Sequence, residues 1–357
     1  MSKHSLLTKF VLSCLLLITT AYGKESTNVL GVGAAIVDYL IEVEDDYLFT
    51  ISGSKGGCEL IDYKNFKKIL HDNQDRPIRT ATGGSGANTV KGLARLNIQS
   101  ALLGKIGHDE EGMFFLNRVV QMGVIPMLIP CNLQTQQVIC LITPDKQRTM
   151  RCYLGAGGQF KEADLNKGFF LGFNHVHIEG YALRNGKLVE ESLKMAKECG
   201  CTTSFDLGCY ELAEEFKERI LERVLPLVDI VFANKDESFH LTGKFPKAAC
   251  EDLLAICPTA VVLVGKDGCY VGEKGIVKHC PTNAVSMLDS TGAGDLFASG
   301  FLYGYLKGYE GTLSARIGNF LGGSVVQVIG AEIPDERWPG IIREINRIES
   351  EGHSLFR

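Results

Sequence analysis

Asp289-Ser-Thr-Gly-Ala-Gly-Asp295, running on into LFASGFLYGYL, is the stretch on which the fold turns. Phe297, Ala298, Phe301, Leu302 and Tyr305 recur at helical spacing, so a helix begins at about Gly294 or Asp295. A glycine-rich turn therefore meets a helix N-terminus, where free N–H groups point outward and the helix dipole favours an anion. Gly292 and Gly294 let the backbone wrap closely round a ligand. An acid at the mouth of an anion hole is well placed for proton transfer, and Asp295 can take a proton from an attacking hydroxyl. Read alone, the same residues also describe a plain turn whose first acid complements the dipole.

Working outward, Thr82-Gly-Gly-Ser-Gly-Ala-Asn88 precedes a second helix, with Ala87, Val90, Leu93 and Ala94 at helical spacing. Gly83 and Gly84 permit a bend with positive φ, and Asn88 offers a donor and an acceptor. That pairing suits a polyol, whose hydroxyls are themselves both. Asn28 to Asp38 (NVLGVGAAIVD) reads as one apolar opening strand, which places Asp38 at the carboxyl edge where open α/β sheets bind ligands. Asn234 and Glu237, in FANKDE, follow another strand end. Their N-x-x-E spacing suits Mg²⁺ held through water beside phosphates, although read alone it is first a helix N-cap with first-turn acids.

The intervening text alternates between apolar strands and amphipathic helices. Strands are expected at 101–106, 138–143, 175–178, 203–206, 230–233 and 261–264. Helices are expected at 87–96, 113–122, 187–198, 216–224, 296–305 and 312–328. Strands that are almost wholly apolar, separated by helices, predict a doubly wound, mostly parallel sheet covered on both faces. Segments 39–50 and 131–154 fall outside the alternation and are expected to form a small β-structured flap.

Rival chemistries lack their motifs. There is no G-x-x-x-x-G-K-[ST], which excludes a P-loop, and Gly31-x-Gly33 has Ile36 where a dinucleotide fold needs glycine. A net charge of −5 without a basic–aromatic stripe excludes the usual nucleic-acid footprint. His175-x-His177 sits in an apolar strand and reads as core histidines, and Cys199-x-Cys201 has no zinc-spaced partner pair, so no structural metal is assigned.

These stretches together resemble the ribokinase (PfkB) carbohydrate kinase family over residues 28–345. GGSGANTVKGLARLN with LLGKIGHDEEG is similar to its first signature, DSTGAGDLFASGFL to its second, and FANKDE to its N-x-x-E element. The insert KGGCELIDYKNFKKIL and the segment TPDKQRTMRCYLGA resemble the adenosine-kinase-like branch. The resemblance implies a β-lid over the sheet and transfer of the γ-phosphoryl of ATP to a primary hydroxyl. Asp295 would be the base, and the amides of Gly292, Ala293 and Gly294 the anion hole. Asp38, Gly83, Gly84, Asn88 and Glu179 would hold substrate, Glu179 from the lid side. Asn234 and Glu237 would serve ATP–Mg²⁺, Gly265, Gly268 and Asn319 would border the nucleotide, and Asp289 would help hold K⁺. Arg151 stands where related chains often carry Asn, which leaves the substrate open: adenosine is the first choice, with ribose- or fructose-like sugars or a non-catalytic binding role as alternatives.

The N-terminus points elsewhere. Lys3, His4 and Lys9 precede the apolar run Phe10–Thr19 and then Ala21-Tyr22-Gly23, the pattern of a secretory signal cleaved after Gly23. The run is too short for a stable membrane span. Against export, a kinase needs cytosolic ATP, and 11 cysteines outside the leader, an odd number scattered through strands and helices, look like reduced thiols. Residues 1–23 are thus a signal peptide or an apolar extension on a cytoplasmic enzyme, acting as monomer or homodimer.

Overall fold

The computed structural model describes residues 28–354, so the expected leader lies outside the described residues. Nine strands form a large sheet in the order β14-β13-β12-β11-β10-β9-β1-β5-β6. Its parallel part comprises β1 (Asn28–Val32), β5 (Gln99–Gly107), β6 (Val124–Cys131), β9 (His175–Glu179), β10 (Thr202–Asp206), β11 (Ile230–Asn234) and β12 (Thr259–Leu263). An antiparallel hairpin, β13 (Cys269–Glu273) and β14 (Ile276–Cys280), extends one edge. Pro126 and Pro130 lie in β6, which ends the other edge, where a missing donor is tolerated.

Helices cover both faces, as the apolar strands require. They are α1 (Tyr63–Asp72), α2 (Ser85–Arg95), α3 (Glu110–Gln121), α4 (Leu188–Glu198), α5 (Lys235–Thr242), α6 (Pro246–Leu254), α7 (Ala293–Leu306), α8 (Gly311–Val325) and α9 (Trp338–Ser354). One core packs α2, α3, α7, α8 and α9 onto the sheet through Val90, Phe115, Phe297, Leu321 and Ile345. The other packs α4 and α6 onto the opposite face through Leu193 and Leu253.

A second sheet has the order β3-β8-β7-β2-β4, formed by β3 (Cys58–Leu60), β8 (Arg148–Tyr153), β7 (Gln136–Ile142), β2 (Ile36–Glu42) and β4 (Ile78–Gly83). One face is filled by Ile41, Ile139 and Leu141 against Phe66 of α1. The other carries Leu40, Val138, Cys140, Ile142 and Cys152.

The expected single strand 28–38 is in fact two, and Asp38 lies within β2 of the small sheet, not at the carboxyl edge of the large one. The break has a physical cause. Glu179 fills the space beside Gly33, where a Cβ would lie 2.6 Å from its carboxyl carbon, and it accepts the amide of Ala34 at 2.8 Å. The chain therefore turns out of one sheet into the other. Residues 45–48 form a helical turn where strand was expected. The helix expected over 216–224 is divided among Tyr210–Glu215, Lys217–Arg219 and a wide π-helical turn at Ile220–Val224.

Helix α7 must carry its N-terminal turn to a fixed place, and close packing against α8 does this. A Cβ on Gly300 would meet the Ile317 carbonyl at 2.8 Å and Gly318 Cα at 2.9 Å, so the helices touch through backbone. Gly300→Val should destabilise the protein by about 1–3 kcal/mol through overpacking, read as a lower urea midpoint.

Candidate active site

Helix α7 begins at Gly292, whose φ of 75° closes the turn in the left-handed region. A Cβ there would lie 2.6 Å from the Cβ of Ala331, so the turn rests directly on the 330–332 loop. The Ala293 amide donates to the Ser290 carbonyl at 3.2 Å, which corrects the expected trio of anion-binding amides. Ala293 closes the turn, and Gly292 and Gly294 remain the expected donors.

Asp295 joins this turn to α2. Its two carboxylate oxygens accept the Ser85 hydroxyl at 2.7 Å and the Asn88 amide at 2.8 Å. Burial pushes its carboxyl up; the bonds from Asn88 and Ser85, then Lys91, pull it down. The Asn88 carbonyl oxygen is buried without a hydrogen-bond partner among the described residues. Gly84, with φ of 100°, lets β4 turn into α2, and a Cβ there would strike the Ala34 carbonyl at 2.2 Å. Gly83 faces Asp38, whose carboxylate oxygen would lie 2.5 Å from a Cβ. The structure thus gathers Asp38, Gly83, Gly84, Asn88, Asp295 and the Gly292 turn into one neighbourhood, hereafter the cleft, where β2 and β4 of the small sheet meet the starts of α2 and α7.

The other expected residues divide. Glu179 is corrected from the lid side: it ends β9 of the large sheet, and its oxygens hold the amides of Ala34 and Gly86 at 2.8 and 2.7 Å. Asn234 caps α5, accepting the amides of Asp236 and Glu237 at 2.9 Å, while Glu237 accepts the Asn234 amide at 2.8 Å. Asn319 donates to the Cys280 carbonyl at 3.1 Å and lines a cavity of about 230 Å³ with Pro281, Val285, Phe320 and Gly323. A Cβ on Gly322, beside the lining residue Gly323 on α8, would lie 3.0 Å from the Ala293 carbonyl, so this cavity adjoins the α7 turn. Gly265 and Gly268 form the β12–β13 turn and do not line that cavity.

Asp289 does not fit a monovalent-cation ligand. It accepts Thr291 N and Oγ1 at 2.9 and 2.7 Å and Gly330 N at 2.8 Å, and Arg148 Nη1 stands 3.4 Å from both its oxygens. The carboxylate expected to help hold the cation already faces a guanidinium.

Several residues of the cleft escaped the sequence reading. Arg148 reaches from β8 to Asp289. Arg151 follows it on the same strand with opposite phase and so lies on the other face; it is 1% exposed and donates to the Ser52 carbonyl. It therefore points away from the cleft. Buried Lys91 donates to the Thr82 carbonyl at 2.9 Å and approaches Glu332 at 3.3 Å; Glu332 in turn accepts Arg118. Asp206 ends β10 beside Glu237, and an expected strand closing on an acid was a readable signal. Tyr181 bonds the Gly208 carbonyl at 3.1 Å and leaves 47% of its surface open.

The cleft is crowded with carboxyls. Burial pushes Asp38 up to about 6 and Glu179 and Glu237 up to about 7, and raises Asp206 well above the usual range. Arg148 and Lys91 oppose this at Asp38. Among the described residues no three His, Cys, Asp or Glu groups converge as a ready metal cage.

The pfkB family carbohydrate kinase model matches residues 58–338. The chain belongs to that family. It is 26% identical over 335 residues to the adenosine kinase of Saccharomyces cerevisiae, covering 85% of this chain and 96% of that one. Adenosine kinase from Sinorhizobium meliloti superposes with a TM-score of 0.79 at 29% identity, covering 89% and 99% of the two chains. A probable sugar kinase from Rhizobium etli gives 0.80 at 26%, covering 90% and 98%. This family member is a phosphotransferase that acts on an alcohol group of a sugar or nucleoside, in a family that uses ATP. No helix among the described residues is long and apolar enough to cross a membrane.

Lys91→Met should leave Glu332 with one cation fewer and destabilise the fold by about 3 kcal/mol, measured by denaturant unfolding. It should also raise the Asp38 and Asp295 carboxyls further. Activity of the wild type should fall as pH drops through about 6, where Asp38 takes up a proton. In the variant that acidic limb should move to higher pH.

Proposed function

We propose that this protein is a nucleoside kinase that transfers the γ-phosphoryl group of ATP to the primary hydroxyl of its acceptor, adenosine before others. The observation that carries the kinase reading is Asp295, at the N-terminus of α7 and fixed by Ser85 and Asn88 opposite Asp38. A nucleoside is favoured over a bare sugar by Tyr181, whose open ring can stack on a base while its hydroxyl is tied to Gly208. The apolar face of the small sheet, with Leu40, Val138 and Met150, offers the base a second dry wall.

In this reading Asp38 accepts hydrogen bonds from ribose hydroxyls, and the bare backbone at Gly83 and Gly84 admits the ring. The unpartnered Asn88 oxygen accepts another hydroxyl. As the acceptor oxygen bonds to phosphorus and ADP departs in line, its proton passes to Asp295, worth about 10²–10⁴-fold for a placed base. The amides of Gly292 and Gly294 and the guanidinium of Arg148 steady charge on the transferring group, about 10²–10³-fold per donor. The purine of ATP fits the cavity beside Asn319 and Phe320. The small sheet excludes water as a rival acceptor.

Asp206 and Glu237 suit Mg²⁺ held through its waters. Both are buried carboxyls, Asp206 at the end of β10 and Glu237 in the first turn of α5 just past the neighbouring β11, and Asp206 is raised partly by Glu237, a repulsion that a hydrated dication relieves. Bound there, Mg²⁺ would neutralise phosphate charge.

ADP release should be assayed against adenosine, inosine, ribose and fructose. Turnover is expected with nucleosides first; turnover with fructose or ribose alone would make this a sugar kinase, and none with any would leave a binding protein. Asp295→Asn should remove most turnover, by about 10²–10⁴-fold, while nucleotide binding by calorimetry stays near wild type. Wild-type turnover in that variant would exclude Asp295 as the base. Tyr181→Ala should raise KM for nucleosides by about tenfold and spare any activity on ribose.

A further inference from the structure

We infer that Cys58 and Cys152 form a reversible thiol–disulfide site, oxidised by a small-molecule disulfide such as oxidised glutathione, that fastens edge strand β3 to β8 at the cleft. The two sulphurs lie 3.3 Å apart. Cys58 is exposed, so an oxidant can reach it, whereas Cys152 is 8% exposed and waits behind it. The contact is not a chance meeting of loose segments. Lys55 is paired with Asp45 and Asp145, Arg151 holds the Ser52 carbonyl, and Gly56 donates to Thr149, so the loop entering β3 is fixed on β8 before the thiols meet.

Cys152 belongs to the apolar face that includes Cys140, and Cys140 contacts Arg148 at 2.9 Å. A bond at Cys152 would thus tie the outermost strand to the strand that carries the guanidinium. The Cys58 thiol is lowered from its ordinary range by its contact with Cys152, which outweighs burial and Glu211, with Arg184 and Arg151 adding smaller help; this favours the thiolate as attacker. Cys269 and Cys280 also stand opposite each other, on β13 and β14, but both are buried and offer no exposed sulphur.

The chemistry balances. Cys58 thiolate attacks one sulphur of oxidised glutathione, the S–S bond breaks, and one glutathione thiolate leaves. Cys152 then loses its proton, its sulphur attacks that of Cys58, and the second glutathione leaves. Two protein thiols are oxidised and one glutathione disulfide is reduced to two thiols. Closing from 3.3 Å to a bond of about 2.0 Å needs a small shift. Strand β3, at the sheet edge and paired only with β8, can supply it.

The test uses the whole folded protein, incubated with excess oxidised glutathione, alkylated and mapped by mass spectrometry. Peptides holding Cys58 and Cys152 should appear linked, with both residues lost from the alkylated set and recovered by dithiothreitol. Cys152→Ser should stop at a glutathione adduct on Cys58, because the second attack is removed. The oxidised form should unfold about 5 °C higher than the reduced one. Free, alkylatable Cys58 and Cys152 at excess oxidant would overturn the site, as would a stable glutathione adduct on Cys58 in the wild type. The readout is mass and needs no phosphoryl transfer, so it stands or falls separately from the kinase reading.

Discussion

Asp295 is bonded to two donors on a helix more than 200 residues earlier in the chain, and that shared carboxylate is the constraint on which the cleft depends. It fixes the start of α7 against the start of α2. Since α2 follows directly on β4 of the small sheet, the same bonds orient the sheet that closes over the cleft. Close backbone packing of α7 on α8 and of the Gly292 turn on Ala331 removes the remaining freedom. A nucleophile's base and an anion-binding turn are therefore set by one rigid joint.

The site is arranged at electrostatic expense. Asp38, Glu179, Asp206, Glu237 and Asp295 are all raised, with burial the largest cause in each. A fold selected for stability alone would not bury so many acids with so little compensation. Two cations temper the field from opposite sides: Lys91, anchored by Thr82 and Glu332, and Arg148, anchored at Asp289. The 330–332 loop connects them, since Gly330 bonds Asp289 and Glu332 pairs with Lys91. Charge balance in the cleft and its shape are thus maintained by the same short loop.

What the sequence disclosed was local. Helix starts expected at 87 and at about 294, and found at 85 and 293, were legible because glycine turns and apolar periodicity occupy adjacent residues, and the alternation of strands and helices pointed to the parallel sheet. The break at Gly33 was not, because its cause is Glu179, far along the chain, filling the space beside the glycine. Arg148 and Arg151 are indistinguishable in the text RTMR; only strand phase places one at the cleft and the other under the sheet. Lys91 looked like one more residue of an amphipathic helix, and its burial depends on Glu332 arriving from the far end of the chain. The N-x-x-E pair was readable both as a cap and as a cation site, and the capping half is present in full geometry.

The most direct test of Asp295 as base beside an anion-binding turn is a crystal structure of the protein with adenosine, ADP, Mg²⁺ and aluminium fluoride. The fluoride complex should lie against the amides at Gly292 and Gly294, with the adenosine primary hydroxyl between it and the Asp295 carboxylate and the ADP purine beside Phe320. An aluminium fluoride complex bound away from the α7 turn, or an acceptor hydroxyl out of reach of Asp295, would contradict that assignment.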